Sequence, residues 1–454
     1  MARSSLSRAG SIMTLQIIHN ATCTACSCVC DDIELHHDDV RIHEARRACE
    51  LGTPWFLNYT TAKNFPAALI DGKEATLDQA VAAAADYLHA ADMPLIYGLS
   101  NTSCEAQKEC VALADQLGGL LDSDRHDLTQ IAVQMGGKVT CTLGEVKQRA
   151  DLVVYWGVDP EESYPRHMSR YTVMRKSKFL PHGRADRTMV LVNVEESKSS
   201  EEADLVLRVT PASDFELIAI LCAMLRGHEV ADSAIAETGL NREQLVDLIT
   251  RMKSCKFGCF FFSTGLSMTR GNYMNSASIL LLAAELNAFT KFVAMPMPGH
   301  GNVTGADAVM RWQTGYPFSV SFNRGYPRYN PGEFSTEEVL SRGDCDAAII
   351  IGADPVPALP PAAIDHLRRI PTIVLDPQIT RTSQLARVHI TTAPHGLAAG
   401  GTAYRMDELS MPLKPALTSP YPTDIEVIQK IKAAVAEKPF WLAEGSQPRM
   451  LHAE

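Results

Sequence analysis

The sequence predicts an α/β protein made of two Rossmann-like, doubly wound domains preceded by a small cysteine-rich domain. Three observations predict it. Short, wholly apolar runs such as PLIYG (94–98) alternate with stretches of helical periodicity such as 103–117, the pattern of strands buried on both faces between helices. The segments DLVVYWGVDP (151–160) and DAAIIIGADP (346–355) share the pattern D-x5-G-x-D-P, as if one unit occurred twice. Cys23, Cys26, Cys30 and Cys49 gather near the N-terminus.

Length and composition limit the function classes. The 454 residues suffice for about three domains at ~150 residues each. With 46% hydrophobic and 21% charged residues, the chain is biased toward neither disorder nor coiled coil. No apolar run reaches the ~18 residues of a membrane span, so no membrane role is expected. The 42 basic and 53 acidic side chains leave a net charge of −11, which argues against nucleic acid as a partner. Residues 1–16 carry Arg3 and Arg8 but no apolar core of a secretory signal. A cytoplasmic location is expected, and Met1 and Met13 are alternative starts.

In chain order, the cysteine segment TCTACSCVCDDIEL comes first. Cys23, Cys26 and Cys30 form C-x2-C-x3-C, Cys49 follows nineteen residues later, and Cys28 lies inside the loop. Three thiolates on one tight loop and a fourth from a remote segment suit a cubane [4Fe–4S] cluster. A structural zinc site and unloaded thiols stay open as alternatives, although zinc sites more often pair two C-x2-C knuckles. Cys28 is expected to be a spectator.

Each D-x5-G-x-D-P segment reads as a buried strand ending in a glycine turn. Each is followed by a second apolar strand and a polar turn, MVLVNVEESKSSEEADLVLRV in one copy and TIVLDPQITRTSQLARVHI in the other. In such sheets ligands sit beyond the carboxyl ends of the strands, where glycine admits a phosphate and an acid accepts from a ribose or base. Gly157, Asp159, Gly352 and Asp354 are therefore candidate contacts for a ligand with two nucleotide-like halves, against the alternative of plain strand-ending turns. The expected division is 14–58 for the cysteine domain, 59–121 with 301–400 as one discontinuous α/β domain, 122–300 as the second, and 401–454 as a C-terminal extension. The two turns are expected to face one shared cleft.

The 299–302 segment and the MTRG loop (268–271) are expected to line that cleft. Residues 296–331 are rich in Gly, Asn, Tyr and Pro, carry Arg311, Arg324 and Arg328, and hold too many turn signals for a helix. Long irregular segments are usually functional, although a loop that only bridges domains reads the same way. The segment GLSMTRGNYMN (265–275) is a second loop and sets Arg270 beside two glycines.

Taken together, the cysteine loop running into CDDIEL, ADLVVYWGVDPEESYPRH, GLSMTRG, GHGNVTGADAVMRWQTGYPFSVSFNRGYPRYNPGE, IIIGADP and AAGGTAYRMDELSMPLK resemble the B subunit of formylmethanofuran dehydrogenase, in order and over nearly the whole chain. The resemblance implies a molybdopterin-oxidoreductase-like fold. It also implies a [4Fe–4S] cluster on Cys23, Cys26, Cys30 and Cys49, and molybdenum or tungsten held by two molybdopterin guanine dinucleotides on Gly157, Asp159, Gly352 and Asp354. Arg270 would face the metal and a substrate oxygen. The implied chemistry interconverts carbon dioxide and formate, and the implied partners are the other subunits of the complex, one of amidohydrolase type and two further ones that carry the formyl group onward.

One departure bears on the chemistry. The family ligates its metal through a cysteine or selenocysteine followed by His, whereas this chain reads GGLLDSDRHDLTQIAVQMGG, with no cysteine between Cys110 and Cys141. His126 stands near the family's His, and Asp124, Arg125 or Asp127 occupies the thiolate's neighbourhood. Two readings follow. In the favoured one the chain is mainly a scaffold, as in the bacterial formyltransferase/hydrolase complexes that act on tetrahydromethanopterin-linked carbon without a redox step. In the other it is an active molybdenum or tungsten dehydrogenase with an atypical ligand.

Overall fold

The computed structural model describes residues 15–61, 65–125 and 128–438. Its centre is a pair of sheets whose inner strands are all parallel. In the nine-stranded sheet, Leu120–Ser123, Pro94–Gly98, Ala347–Ile351, Thr372–Asp376 and Val388–Thr391 lie side by side in that order. Antiparallel pairs close its edges, Val320–Ser321 with Arg328–Tyr329 at one end and Ala68–Ile70 with Lys73–Ala75 at the other. The five-stranded sheet runs Leu205–Arg208, Thr188–Asn193, Leu152–Trp156, Phe257–Ser263, Lys291–Met297. Helices cover both faces, so runs such as AAIII and LVVYW are buried at every position.

The sequence repeat becomes a repeat of wiring. Each copy opens with an acid that ties down the start of a neighbouring strand. Asp151 accepts from the Lys256 and Phe257 amides at 2.9 Å each, and Asp346 accepts from the Asp92 and Met93 amides at 2.7 and 2.8 Å. The second acid reaches forward to the loop after the next strand. Asp159 accepts from the Ser199 amide (3.3 Å) and hydroxyl; Asp354 accepts from the Thr382 amide (2.8 Å) and hydroxyl (2.6 Å). Between the acids, Gly157 and Gly352 turn the chain at φ +62° and +60°, a conformation that costs a residue with a Cβ roughly 1–2 kcal/mol.

The 296–331 segment differs from its expectation. Val303–Thr314 is an α-helix of 12 residues, buried from Val303 through Met310. The glycines suggested turns, but Gly305 is there for space, since a Cβ would come within 2.2 Å of the Asn302 side chain. Only Gly315, left-handed at the C-cap, ends the helix. The rest of the segment is pinned by the buried Asp122, which accepts from the amide and hydroxyl of Ser319 and of Thr336. In the 265–275 segment, Tyr273 already begins the helix Tyr273–Leu286.

Near the N-terminus, Gln16–Ala21, Ile33–His37 and Ile42–Arg46 form an antiparallel sheet, followed by the short helix Gly52–Leu57. It is clamped to the five-stranded unit by ion pairs. Arg166 grips Asp32 with two bonds of 2.7 Å, and Arg170 bonds both Asp31 and Asp32. Beyond residue 400, the hairpin of Gly401–Tyr404 and Ser410–Leu413 packs on Val29 of the cysteine loop. The helix Asp424–Ala436 buries Val427, Ile428 and Ile431 in the core of the nine-stranded sheet. Among the described residues, no helix is long and apolar enough to cross a membrane.

Candidate functional site

The cysteine loop closes on itself through the Cys23 amide, which donates to the Cys30 carbonyl at 2.8 Å, and the Val29 amide, which donates to the Cys26 carbonyl at 3.1 Å. Cys23, Cys26, Cys28, Cys30 and Cys49 then line a single small pocket with Ile33, Ala48 and Arg166. Gly52 marks where two arms meet, since a Cβ there would lie 3.1 Å from Cys23 Sγ and 3.8 Å from Cys49 Sγ. Burial pushes the Cys23 and Cys30 thiols up, and neighbouring thiolates add to it. Cys26 moves the other way, because the Cys28 thiol donates a hydrogen bond that favours its thiolate, and Cys28 is raised by the same bond and by burial. As placed, no group of three or more His, Cys, Asp or Glu side chains among the described residues is set to hold a metal ion.

The glycine turns contact different parts of the expected lining. Gly157 packs on Gly265 and Leu266, where an added Cβ would meet the Leu266 amide at 3.7 Å. The Gly352 carbonyl accepts from Asn101 Nδ2 at 2.7 Å. The loop that carries Asn101 is joined to 299–302 by the Asn302 amide, which donates to the Ser100 carbonyl at 2.6 Å. Asn302 is itself fully buried, donating to the Thr102 carbonyl (3.0 Å) and accepting from the Tyr404 amide (2.8 Å). Asp159 also caps the helix Pro160–Ser163 through the Glu161 and Glu162 amides. Burial opposes its charge, but the hydrogen bonds from Ser199 and the cap hold its carboxyl below the usual range.

Between the cysteine pocket and this loop lie buried polar atoms that have no partner among the described residues: Thr24 Oγ1, Trp55 Nε1 and His395 Nε2. The Trp55 and His395 rings meet edge-on with centroids 5.7 Å apart, and the Cβ of a residue replacing Gly396 would lie 3.5 Å from Thr24 Oγ1. Burial pushes the His395 pKa down to about 4, against a hydrogen bond to the Asn101 backbone. Its ring is neutral at ordinary pH, leaving an unused nitrogen beside an unused indole N–H. Buried groups of this kind are normally satisfied by water or a ligand.

Arg270 is exposed, and its carbonyl accepts from Asn275 Nδ2 at 3.1 Å. His126 and Asp127 lie outside the described residues. Asp124 is spoken for: Ser100 donates its amide to one carboxylate oxygen (3.0 Å) and its hydroxyl to the other (2.6 Å). Burial raises this carboxyl. Arg125 Nε stands 3.6 Å from Asp124, and its side chain packs 3.8 Å from the Cβ position at Gly299. The half-buried His300 is pushed down by desolvation and then by the Arg125 charge.

Several of these residues carry no local signal. Asn101, Ser199, Thr382, Trp55 and Arg166 gain their roles only through partners distant in the chain. Asn302 was visible as part of GHGN, but its bonds to Thr102 and Tyr404 were not.

No family model matches the chain. It is 39% identical over 415 residues to the B subunit of the tungsten-containing formylmethanofuran dehydrogenase 2 of Methanocaldococcus jannaschii, covering 89% of this chain and 95% of that one. Identity to the protein of the same description from Methanococcus maripaludis is 35%, over 93% of this chain and the whole of the relative. Among solved structures, a chain of the formyltransferase/hydrolase complex from Methylorubrum extorquens, crystallised with methylofuran, aligns with a TM-score of 0.69 at 22% identity, covering 82% of this chain and 99% of that one.

Proposed function

This chain belongs to the family of the formylmethanofuran dehydrogenase B subunit, in one-carbon metabolism, and we propose that it serves a multi-subunit complex as a cluster-bearing scaffold that releases carbon as formate through a partner subunit. What supports the reading is the cysteine-free stretch between Cys110 and Cys141, where the resemblance implies the metal thiolate and where Asp124, Arg125 or Asp127 would stand instead. Asp124 spends both oxygens on Ser100, and Arg125 adds a cation where a metal ion would need an anion. The described residues of this stretch offer no soft thiolate to molybdenum or tungsten, and no step is routed through either metal.

The cysteine pocket fits an iron–sulfur cluster better than zinc. A C-x2-C-x3-C loop with one remote thiolate suits the corners of a cubane, whereas zinc sites more often pair two C-x2-C knuckles. Cys23, Cys26, Cys30 and Cys49 would hold the cluster, with the Arg166 and Arg170 charges beside it. The unpartnered atoms of Thr24, Trp55 and His395 fit a polar heterocycle or ordered water between the cluster and the glycine turns. Gly157, Asp159, Gly352 and Asp354 would border the two halves of a dinucleotide cofactor, as strand-end turns do. The 14–58 segment forms the iron–sulfur domain in this reading, and the two sheets form the two Rossmann-like domains.

A second reading keeps the dehydrogenase, with Arg270 and His126 as its catalytic residues. What favours it is identity, 39% to a chain of a tungsten-containing enzyme, compared with 22% to the formyltransferase/hydrolase chain. The purified complex decides between them. The scaffold reading expects formyl-methanofuran, or its bacterial analogue, to be hydrolysed to free formate, and expects deletion of this chain to disperse the partners. A complex that stays assembled without this chain contradicts it.

A further inference from the structure

At the end of the five-stranded sheet opposite the Gly157 turn lies a cavity of about 700 Å³. Asp151, Phe257 and Lys291 line it where three parallel strands begin, so it is remote from the strand ends that bind cofactors in such sheets. Two large apolar side chains are left half in water there, Phe179 at 51% and Phe289 at 47% exposure. Each is overlaid by a cation, the Arg149 guanidinium 4.4 Å above Phe179 and the Lys253 ammonium 4.1 Å above Phe289.

The charge around this cavity opposes the charge of the chain. Among the described residues the exposed Lys178, Lys253, Lys256 and Lys291 have no acid within ion-pair distance. The acids in the wall are already used: Asp151 binds the Lys256 and Phe257 amides, and Asp186 binds the His182 amide and ring. Arg149 pairs with Glu145. A molecule of net charge −11 thus keeps a cationic, aromatic-floored groove open. Aromatic side chains and arginine are enriched in protein interfaces, and exposed lysines around such a concavity steer a partner of opposite charge.

We propose that this groove docks an acidic segment, anchored by an apolar side chain, from another member of the same complex. The proposal rests on the reading of the chain as part of a multi-subunit complex. The opposed charges steer the segment in, and Phe179 and Phe289 receive its apolar side chain.

The test uses the complex co-expressed with its partner chains, comparing wild type with Lys256→Glu/Lys291→Glu, with Phe289→Ser, and with Lys256→Arg/Lys291→Arg. Dissociation of the complex is followed by sedimentation, and an unchanged thermal transition of each isolated chain shows that folding is intact. The charge-reversed and Phe289→Ser complexes should dissociate at least about tenfold more readily, and the arginine pair should hold. Raising salt should weaken wild type toward the charge-reversed level. Wild-type assembly by the charge-reversed chain overturns the docking site. So does a self-associated chain dispersed by the same substitutions, which identifies a second copy as the occupant. Binding of inorganic phosphate lost in the variant with assembly unaffected also overturns it, in favour of a small-anion site. Failure of the wild-type chain to join any complex refutes the underlying functional reading itself, a result distinct from these.

Discussion

Replacing Asp159 by Ala separates a structural acid from one reserved for ligand. The carboxylate caps the helix Pro160–Ser163 at 2.9 and 3.2 Å and latches the Ser199 amide and hydroxyl across to the next strand's loop. Loss of the cap costs about 1 kcal/mol. Loss of the charge-assisted bonds to a buried partner adds roughly 1.5–3 kcal/mol. Because the two share one side chain and do not add fully, about 3 kcal/mol is expected, a fall of about 3 °C at ~1 °C per kcal/mol for a chain of this length. Calorimetry of the purified chain reads it, with Asp159→Asn intermediate because one acceptor oxygen remains. The carboxyl is held below its ordinary pKa, so its contribution is present above about 4 and fades as pH falls through the folded value; the deficit of the Ala variant shrinks with it. A shift under ~1 °C at neutral pH refutes the latch and returns Asp159 to ligand duty alone.

Three other outcomes are expected. Anaerobically purified protein holds about four irons and a broad charge-transfer absorption; Cys26→Ser loses both, while Cys28→Ser keeps the iron, and zinc without iron after reconstitution contradicts the cluster. Asp354→Ala costs less than Asp159→Ala, about 1 kcal/mol by calorimetry, because Asp354 is exposed and, among the described residues, bonds Thr382 alone. His395, held neutral down to about 4, binds a proton more readily when unfolded. Between pH ~6.5 and that value it removes stability as pH falls, and His395→Gln should flatten the acid side of the stability curve by about 1.4 kcal/mol per pH unit. Parallel curves for the two proteins would show the ring to be solvated.

The strands were legible because burial on both faces writes uninterrupted apolar runs, and the duplication was legible because each copy repeats the same acids and glycine. What those acids do was not. Asp159 and Ser199 are 40 residues apart, and Asp346 serves amides 253 and 254 residues away. The helix Val303–Thr314 was hidden by Gly301 and Gly305, whose small size serves close packing against Ser100 and Asn302. Of the cysteine pocket, the spacing of Cys23, Cys26 and Cys30 was plain. The placement of Arg166 in the same wall, brought in through Asp32, depends on a contact 134 residues apart.

The scaffold reading meets its most direct test in metal and pterin analysis of the purified complex, run beside formate-dependent reduction of a viologen dye. The account predicts iron without stoichiometric molybdenum or tungsten, and no dye reduction while formyl hydrolysis proceeds. One molybdenum or tungsten per copy of this chain together with formate-dependent dye reduction would contradict it and restore the dehydrogenase.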